Sequence, residues 1–231
     1  MKAVVDYYDG IADCYDTSRF GHEWGQCLDY QERRILEQWL PRPESSDILD
    51  LGCGTGRMLD LATAGADASA EMVLRARRRA PSKAVVCSMA HELPFDDATF
   101  DAVFSLHLAM HLDHAYLSSV LAECHRILRP GGQIIFDAPS ELRRRFNDYQ
   151  PTGWHCATSM HPSRVRIEAA QLFEWVDFRG LMFAPFHRLP APATRLWKGV
   201  DAAIGRTRLG RWACSHYIFH LRRRDQYEPA R

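Results

Sequence analysis

Residues Ile48-Leu49-Asp50-Leu51 run straight into Gly52-Cys53-Gly54-Thr55-Gly56, and no other stretch constrains the fold as strongly. A short, mostly apolar run fits a strand buried on both faces, the kind found in parallel sheets covered by helices. Glycine at every second position then lets the backbone turn sharply and approach a ligand with no Cβ in the way. The spacing is G-x-G-x-G, with Arg57 where a dinucleotide fingerprint would place its last glycine. That departure argues against a pyrophosphate seated on a helix N-terminus. Arg57 is read as an exposed residue of the following helix, with carboxylate binding as the alternative. Cys53, between two glycines, is read as chosen for its size.

Strand and helix patterns alternate downstream. Residues 47–51 fit a strand, 58–62 a short helix, and 70–80 a helix rich in Ala, Arg and Leu. Two short strands follow at 84–87 and 101–105. Leu117, Val120, Leu121, Cys124 and Leu128 recur at three- and four-residue steps, which predicts an amphipathic helix over 116–128. Arg129-Pro130-Gly131-Gly132 stops it, and 133–137 is the next strand. Repeated β-α-β units imply a parallel sheet with helices on both faces. Ligands of such sheets sit outside the carboxyl ends of the strands. The 52–56 loop, the 66–69 turn and the segments after Ser105 and Asp137 therefore surround one crevice.

Two regions lie outside this repeat. The first 45 residues hold helical stretches at roughly 5–15 and 28–40. Beyond residue 139 come a Pro/Gly/aromatic stretch at 149–162, a strand at 173–184, a helix near 194–204 and a last strand at 216–222. The expected organisation is one domain over 1–231, with a helical cap (1–45), a cofactor-binding core (46–138) and a substrate-side lid with C-terminal strands (139–231).

Composition narrows the function classes. Hydrophobic content of 46% and charged content of 25% are those of an ordinary globular chain. No apolar run approaches the about eighteen residues of a membrane-spanning helix, and residues 1–10 do not resemble a signal peptide. A formal net charge of zero gives no phosphate footprint, so neither a nucleic-acid nor a membrane partner is expected. Seven scattered cysteines without a C-x-x-C pair point to reduced thiols in a cytoplasmic setting, not to a zinc knuckle or a disulfide framework.

Four segments in order resemble class I S-adenosylmethionine-dependent methyltransferases, especially the small-molecule subgroup. They are the 50–56 loop, Gly65-Ala66-Asp67-Ala68-Ser69-Ala70-Glu71-Met72, Leu93-Pro94-Phe95-Asp96-Asp97-Ala98-Thr99-Phe100-Asp101, and Arg126-Ile127-Leu128-Arg129-Pro130-Gly131-Gly132. The start, Tyr7-Tyr8-Asp9 through Ala12-Asp13-Cys14-Tyr15-Asp16, is similar to the family's A-x-x-Y-D opening. The resemblance covers roughly residues 7–137. It implies a doubly wound, Rossmann-like α/β fold with a seven-stranded mixed sheet whose last strand is antiparallel. It also implies S-adenosylmethionine as cofactor, with S-adenosylhomocysteine as product.

The family places a ribose-binding carboxylate where Asp67 stands, followed by Ala68 and Met72; the plain alternative for Asp67 is a helix cap. Only ten residues separate Gly56 from Asp67, close to the minimum for a parallel crossover. The first helix is therefore expected to be very short, and Glu71 is the fallback carboxylate. Met89 stands where the family often has an acidic residue near the adenine, with the backbone of Ala90 and His91 meeting the adenine edge. A core methionine is the alternative. Asp50, Gly52, Cys53, Gly54 and Gly56, with Tyr15 and Ser105 and with Tyr8 as a further candidate, are expected to hold the rest of the cofactor, unless the tyrosines only pack the N-terminal helix.

Methyl transfer needs alignment and exclusion of water more than acid–base chemistry. Where a base is needed, histidine supplies it. His111 and His107 follow the fourth strand and are the candidate base or substrate contacts, with His155 third and a structural role as the alternative. His107, His111 and His114 also have helical metal-ligand spacing, but no carboxylate or cysteine cluster joins them in sequence, so no metal is expected. Tyr149, Trp154 and His155 are the candidate substrate lid, suited to an apolar or aromatic acceptor. Arg143, Arg144 and Arg145 are read as a solvated helix face, with attraction of an acidic substrate as the alternative. The reaction expected is methylation of a small molecule, at oxygen first and nitrogen or carbon next, in secondary metabolism. The alternatives are an RNA or protein methyltransferase and a non-catalytic cofactor-binding subunit.

Overall fold

The computed structural model describes residues 1–150, 158–183 and 191–225. Seven strands form one sheet: β1 (Ile48–Leu51), β2 (Ala64–Asp67), β3 (Ala84–Cys87), β4 (Phe100–Ser105), β5 (Leu128–Pro139), β6 (Phe173–Leu181) and β7 (His216–Arg223). Their order is β3-β2-β1-β4-β5-β7-β6. The first five run parallel, and β7 lies antiparallel to both β5 and β6.

Alternation along the central strands assigns two cores. Leu49, Leu51, Val103, Ile134, Phe136, Phe219 and Leu221 point to one side, where α5 (His114–Ile127) contributes Leu117, Val120, Leu121 and Cys124. Ile48, Phe104, Ile135 and Ile218 point to the other, where α3 (Glu23–Trp39) buries Leu28, Ile35 and Leu36. Asp50 and Asp137 share the parity of Ile48 and Ile135 and so sit on the α3 side.

The remaining elements position the crevice. At the N-terminus α1 (Lys2–Ile11) and α2 (Tyr15–Phe20) are two helices, not the single one expected over 5–15, because the chain leaves helical geometry at Cys14 before α2 begins. The third helix starts at Glu23, earlier than residue 28, since His22 Nδ1 accepts from Gly25 N at 3.1 Å and caps it. The short crossover is met by a single 3₁₀ turn, Leu59–Leu61, between β1 and β2. Ser69 caps α4 (Ala70–Arg79) by accepting from Met72 N at 3.1 Å.

β5 begins at Leu128 instead of residue 133. Leu128 already pairs with Phe100, and the next pair is Ala102 with Gln133, so the Arg-Pro-Gly-Gly segment bulges out of the strand. Gly131 there has φ +71°. Two short helices, α6 (Glu141–Phe146) and α7 (Pro162–Glu168), flank the undescribed 151–157 segment and carry no apolar periodicity that sequence reasoning could use. Beyond them, α8 (Ala191–Arg206) precedes β7. Among the described residues no helix is long and apolar enough to cross a membrane.

Gly56 is where the crossover is tightest. Its φ is +83°, and an added Cβ would lie 2.9 Å from Leu59 Cδ1 and 3.1 Å from the Ala76 backbone. Gly54 has φ +53° with nothing within 4 Å. Gly56→Ala is expected to lower the unfolding free energy by about 2–4 kcal/mol, through left-handed strain plus overpacking. Gly54→Ala meets only the strain, about 1–2 kcal/mol. Chemical denaturation of the two variants checks this; equal losses would contradict it.

Candidate active site

The glycine loop is held against the neighbouring strand by its own amides. Gly52 N and Cys53 N both donate to Ala66 O, at 2.7 and 3.0 Å. Asp67, at the carboxyl end of β2, accepts from Gly54 N at 2.8 Å through Oδ2 and from Ser69 N at 2.9 Å through Oδ1. Its carboxyl therefore fixes the loop and the start of α4 together while remaining half-buried at a cleft. Burial raises the Asp67 pKa despite those amides.

That cleft lies outside the ends of β1, β2 and β4 and spans about 710 Å³ with its open mouth included. Of the expected cofactor residues, Tyr15, Gly52, Gly54, Asp67, Ala68, Met72, Met89 and Ala90 line it, together with Tyr8, His107 and His111. A small adjoining recess is lined by Asp50, Cys53, Thr55 and Arg57. Burial pushes the Asp50 carboxyl up to about 8. Gly56 and Ser105 line neither space: Gly56 packs on Ala76, and Ser105 is buried at the end of β4. His91 turns away to hydrogen-bond Tyr116 Oη at 2.7 Å. Glu71 is exposed on α4 and does not line the cleft, which leaves Asp67 as its carboxylate.

Helix α1 roofs the cleft with Met1, Val4, Val5 and Tyr8. Two contacts dock it. Asp9 Oδ1 accepts from Ser69 Oγ at 2.5 Å and from Glu71 N at 3.3 Å, adding a carboxylate to the N-terminus of α4. Tyr8 Oη hydrogen-bonds His111 Nε2 at 2.8 Å. His111 is thus a buried partner of the roof at the 3₁₀ turn Ala109–His111.

Arg57 is not an exposed helix residue. Its guanidinium pairs with Asp29 at 2.5 Å and Glu32 at 2.7 Å and lies 4.0 Å over the Phe20 ring. Glu32, fully buried on α3, reaches on to His107 Nε2 at 2.7 Å. His107 Nδ1 faces Asp137 Oδ2 at 3.6 Å, and His107 N donates to Asp137 Oδ1 at 2.6 Å. His107 sits at φ +61°, a left-handed conformation that a histidine adopts at a cost of order 1–3 kcal/mol.

Charge in this chain is set by its neighbours. Burial opposes ionisation of Glu32, but His107 and Arg57 outweigh it and hold the carboxyl at about 2. Burial likewise opposes the His107 imidazolium, yet Glu32 and Asp137 outweigh it and raise the pKa. Asp137 is pushed up to about 6 by burial. The two carboxylates therefore favour the protonated imidazole of His107, an arrangement unsuited to the free base expected of it. Glu32, His107 and Asp137 place three ligand atoms within 4.8 Å of one another, a cluster not visible in sequence. The imidazole here bridges two carboxylates with Arg57 alongside. His114 is elsewhere, against Glu168 at 3.5 Å.

A second pocket of about 1130 Å³ opens on the other side of Tyr8, Tyr15 and His107, which line both spaces. Tyr149 lines it, with Arg19, Phe20, Trp24, Arg143 and Arg144. Trp154 and His155 lie outside the described residues.

A parallel sheet with a reversed last strand, a glycine loop after β1 and a carboxylate after β2 define a Rossmann-like protein built to hold a nucleoside. A methyltransferase-domain family model matches residues 49–136. The demethylmenaquinone methyltransferase of Mycolicibacterium gilvum is 31% identical over 194 residues, covering 77% of this chain and 82% of that protein. The ubiquinone/menaquinone biosynthesis C-methyltransferase UbiE of Desulfotalea psychrophila is 35% identical over 143 residues, 57% of this chain and 56% of that one. The chain thus spans little over half the length of that relative. Among solved structures, a SAM-dependent methyltransferase from Archaeoglobus fulgidus superposes with a TM-score of 0.63 at 18% identity, covering 90% of this chain and 97% of that one. The chain belongs to the class I S-adenosylmethionine-dependent methyltransferases.

The charge chain predicts a pH response. Stability from Glu32 is present above its ordinary 4.5 and lost as pH falls toward about 2. Stability from His107 is present below its ordinary 6.5 and lost as pH rises through its raised pKa. In ¹⁵N NMR spectra His107 should remain an imidazolium above 6.5, and Glu32→Gln should lower its midpoint. A neutral ring at pH 6 in the wild type would contradict the assignment.

Proposed function

We propose that the protein transfers the methyl group of S-adenosylmethionine to a small organic acceptor held in the second pocket. The observation that carries this reading is that the cofactor cleft and the second pocket share Tyr8, Tyr15 and His107 as a common wall. Bound there, S-adenosylmethionine supplies an electrophilic methyl group on a sulfonium sulfur.

The cleft fits that cofactor. Gly54 presents open space where a side chain would intrude, and Asp67 offers a carboxylate to ribose hydroxyls. Met72, Met89 and Ala90 give an apolar bed for a purine. Asp50, buried in its recess with only the charge of Arg57 opposing the burial that raises its pKa, suits the ammonium end of the methionine moiety. The remaining work of the chain is to align the acceptor and exclude water. Helices α1 and α2 do the second, and Tyr15, whose hydroxyl burial raises to about 12, stays a proton donor at the junction.

His111 is spent on Tyr8 and His107 on two carboxylates, so this reading does not use a histidine base. Oxygen is the first choice of acceptor atom for an acidic hydroxyl that ionises unaided. The C-methyltransferase among the relatives supports carbon as the second reading. A role in secondary metabolism and a cytoplasmic location belong to the same proposal.

Calorimetric titration with S-adenosylhomocysteine tests the cofactor site. The wild type should bind at micromolar levels and Asp67→Asn roughly 10–100-fold more weakly, the loss of hydrogen bonds to a charged acceptor. Equal affinities would remove Asp67 from the site, and no binding by the wild type would remove the methyl-transfer reading. Because Asp50 is pushed up to about 8, binding at pH 7 should also release on the order of one proton, seen as a dependence of the heat on buffer ionisation.

A further inference from the structure

The relatives named above are a demethylmenaquinone methyltransferase and a C-methyltransferase of ubiquinone/menaquinone biosynthesis, yet the second pocket here carries charge that a neutral acceptor would not use. Among its described lining residues are three arginines, Arg19, Arg143 and Arg144, and no aspartate or glutamate. Arg19 and Arg143 have no carboxylate partner among the described residues. Arg19 donates to Tyr7 Oη at 3.0 Å and Arg143 Nη1 to Ala213 O at 3.1 Å, and both partners are neutral. Arg143 Nε is buried with no hydrogen-bond partner among the described residues.

Around the rest of the fold, Arg57, Arg126 and Arg129 each meet two carboxylates, while Arg77 is spent on the carbonyl oxygen of Val85 and lines neither pocket. The contrast is sharpest within α6. Arg145, one residue on from Arg144, faces solvent at 77% exposure and pairs with Glu141, whereas Arg143 and Arg144 are half-buried at the pocket. The reading of all three as one solvated face is corrected accordingly.

We propose that the second pocket takes an acceptor bearing an anionic group, a carboxylate, sulfonate or phosphate, bound by Arg19 and Arg143, with its apolar body against the aromatic wall. This rests on the methyl-transfer reading for its purpose but not for its binding chemistry. Arginine's fork of donors matches planar oxyanions, and in a half-buried site an uncompensated guanidinium gains more from an anion than at the open surface. Tyr8, Phe20, Trp24 and Tyr149 supply the wall. The field of the pocket agrees: His216 beside it is kept neutral, its pKa pushed down to about 4 by burial and then by the charges of His107 and Arg144.

Matched pairs of probes test the assignment on the whole chain. 1-Anilinonaphthalene-8-sulfonate is compared with uncharged N-phenyl-1-naphthylamine, and decanoate and decyl phosphate with decanamide, each with S-adenosylhomocysteine present. At least one acid should bind tenfold or more tighter than its neutral partner at low salt, and the advantage should shrink as ionic strength rises. The probe that wins separates carboxylate, sulfonate and phosphate. Arg19→Gln with Arg143→Gln should abolish the advantage, leaving the neutral probes and S-adenosylhomocysteine within about twofold. Arg19→Lys with Arg143→Lys should keep most of it, which separates loss of charge from loss of fold. No acid preferred over its partner, or a preference untouched in the glutamine variant, would overturn the proposal. A preserved acid preference in a protein that fails to bind S-adenosylhomocysteine would support the anion site and overturn the methyl-transfer reading.

Discussion

The buried run of charges Asp29–Arg57–Glu32–His107–Asp137 is the interaction on which the rest depends. It joins α3, the end of the glycine loop, the segment after β4 and the end of β5, the elements that converge on the crevice. Removing one member of such a chain leaves an uncompensated buried charge and costs about 3–5 kcal/mol, whereas an apolar replacement of the whole can be neutral. Stability alone therefore does not explain it. What it supplies is position: it holds His107 in a left-handed backbone at the wall between two cavities.

Around that wall the N-terminal helices complete both spaces. Asp9 fastens α1 to the cap of α4, and Tyr8 fastens it to His111. Asp16 fastens α2 to the loop by accepting from Thr55 Oγ1 at 2.6 Å, with Arg79 pairing to the same carboxylate. Phe20 of α2 lies under the Arg57 guanidinium. The roof is therefore tied to the same loop and helix that form the floor. The second pocket is built differently, from aromatic rings and from Arg19 and Arg143, which have no carboxylate partner among the described residues.

Much of this was legible in the sequence. The 48–51 run, the alternate glycines and Asp67 pointed to the strand, the loop and the carboxylate that meet at the first cleft, because these motifs lie close together in the chain. Strand β5 was misjudged at its start because a four-residue bulge can sit inside a paired strand without altering the apolar pattern. The charge chain was missed because its members come from four separate segments. One signal was available: Glu32 falls on the apolar face of α3, four residues after Leu28 and three before Ile35, where a carboxylate needs a buried partner. The orientation of Arg57 and the split of Arg143 and Arg144 from Arg145 depend on tertiary packing and had no counterpart in spacing.

The central claim is that the reactive methyl group sits at the wall shared by the two cavities. S-adenosylmethionine carrying a ¹³C-labelled methyl group, bound without an acceptor, allows this to be read directly by isotope-filtered NOE spectroscopy. The account predicts cross-peaks from that methyl to the rings of Tyr8, Tyr15 and His107. Cross-peaks confined to Met72 and Met89, with none to those three rings, would contradict it.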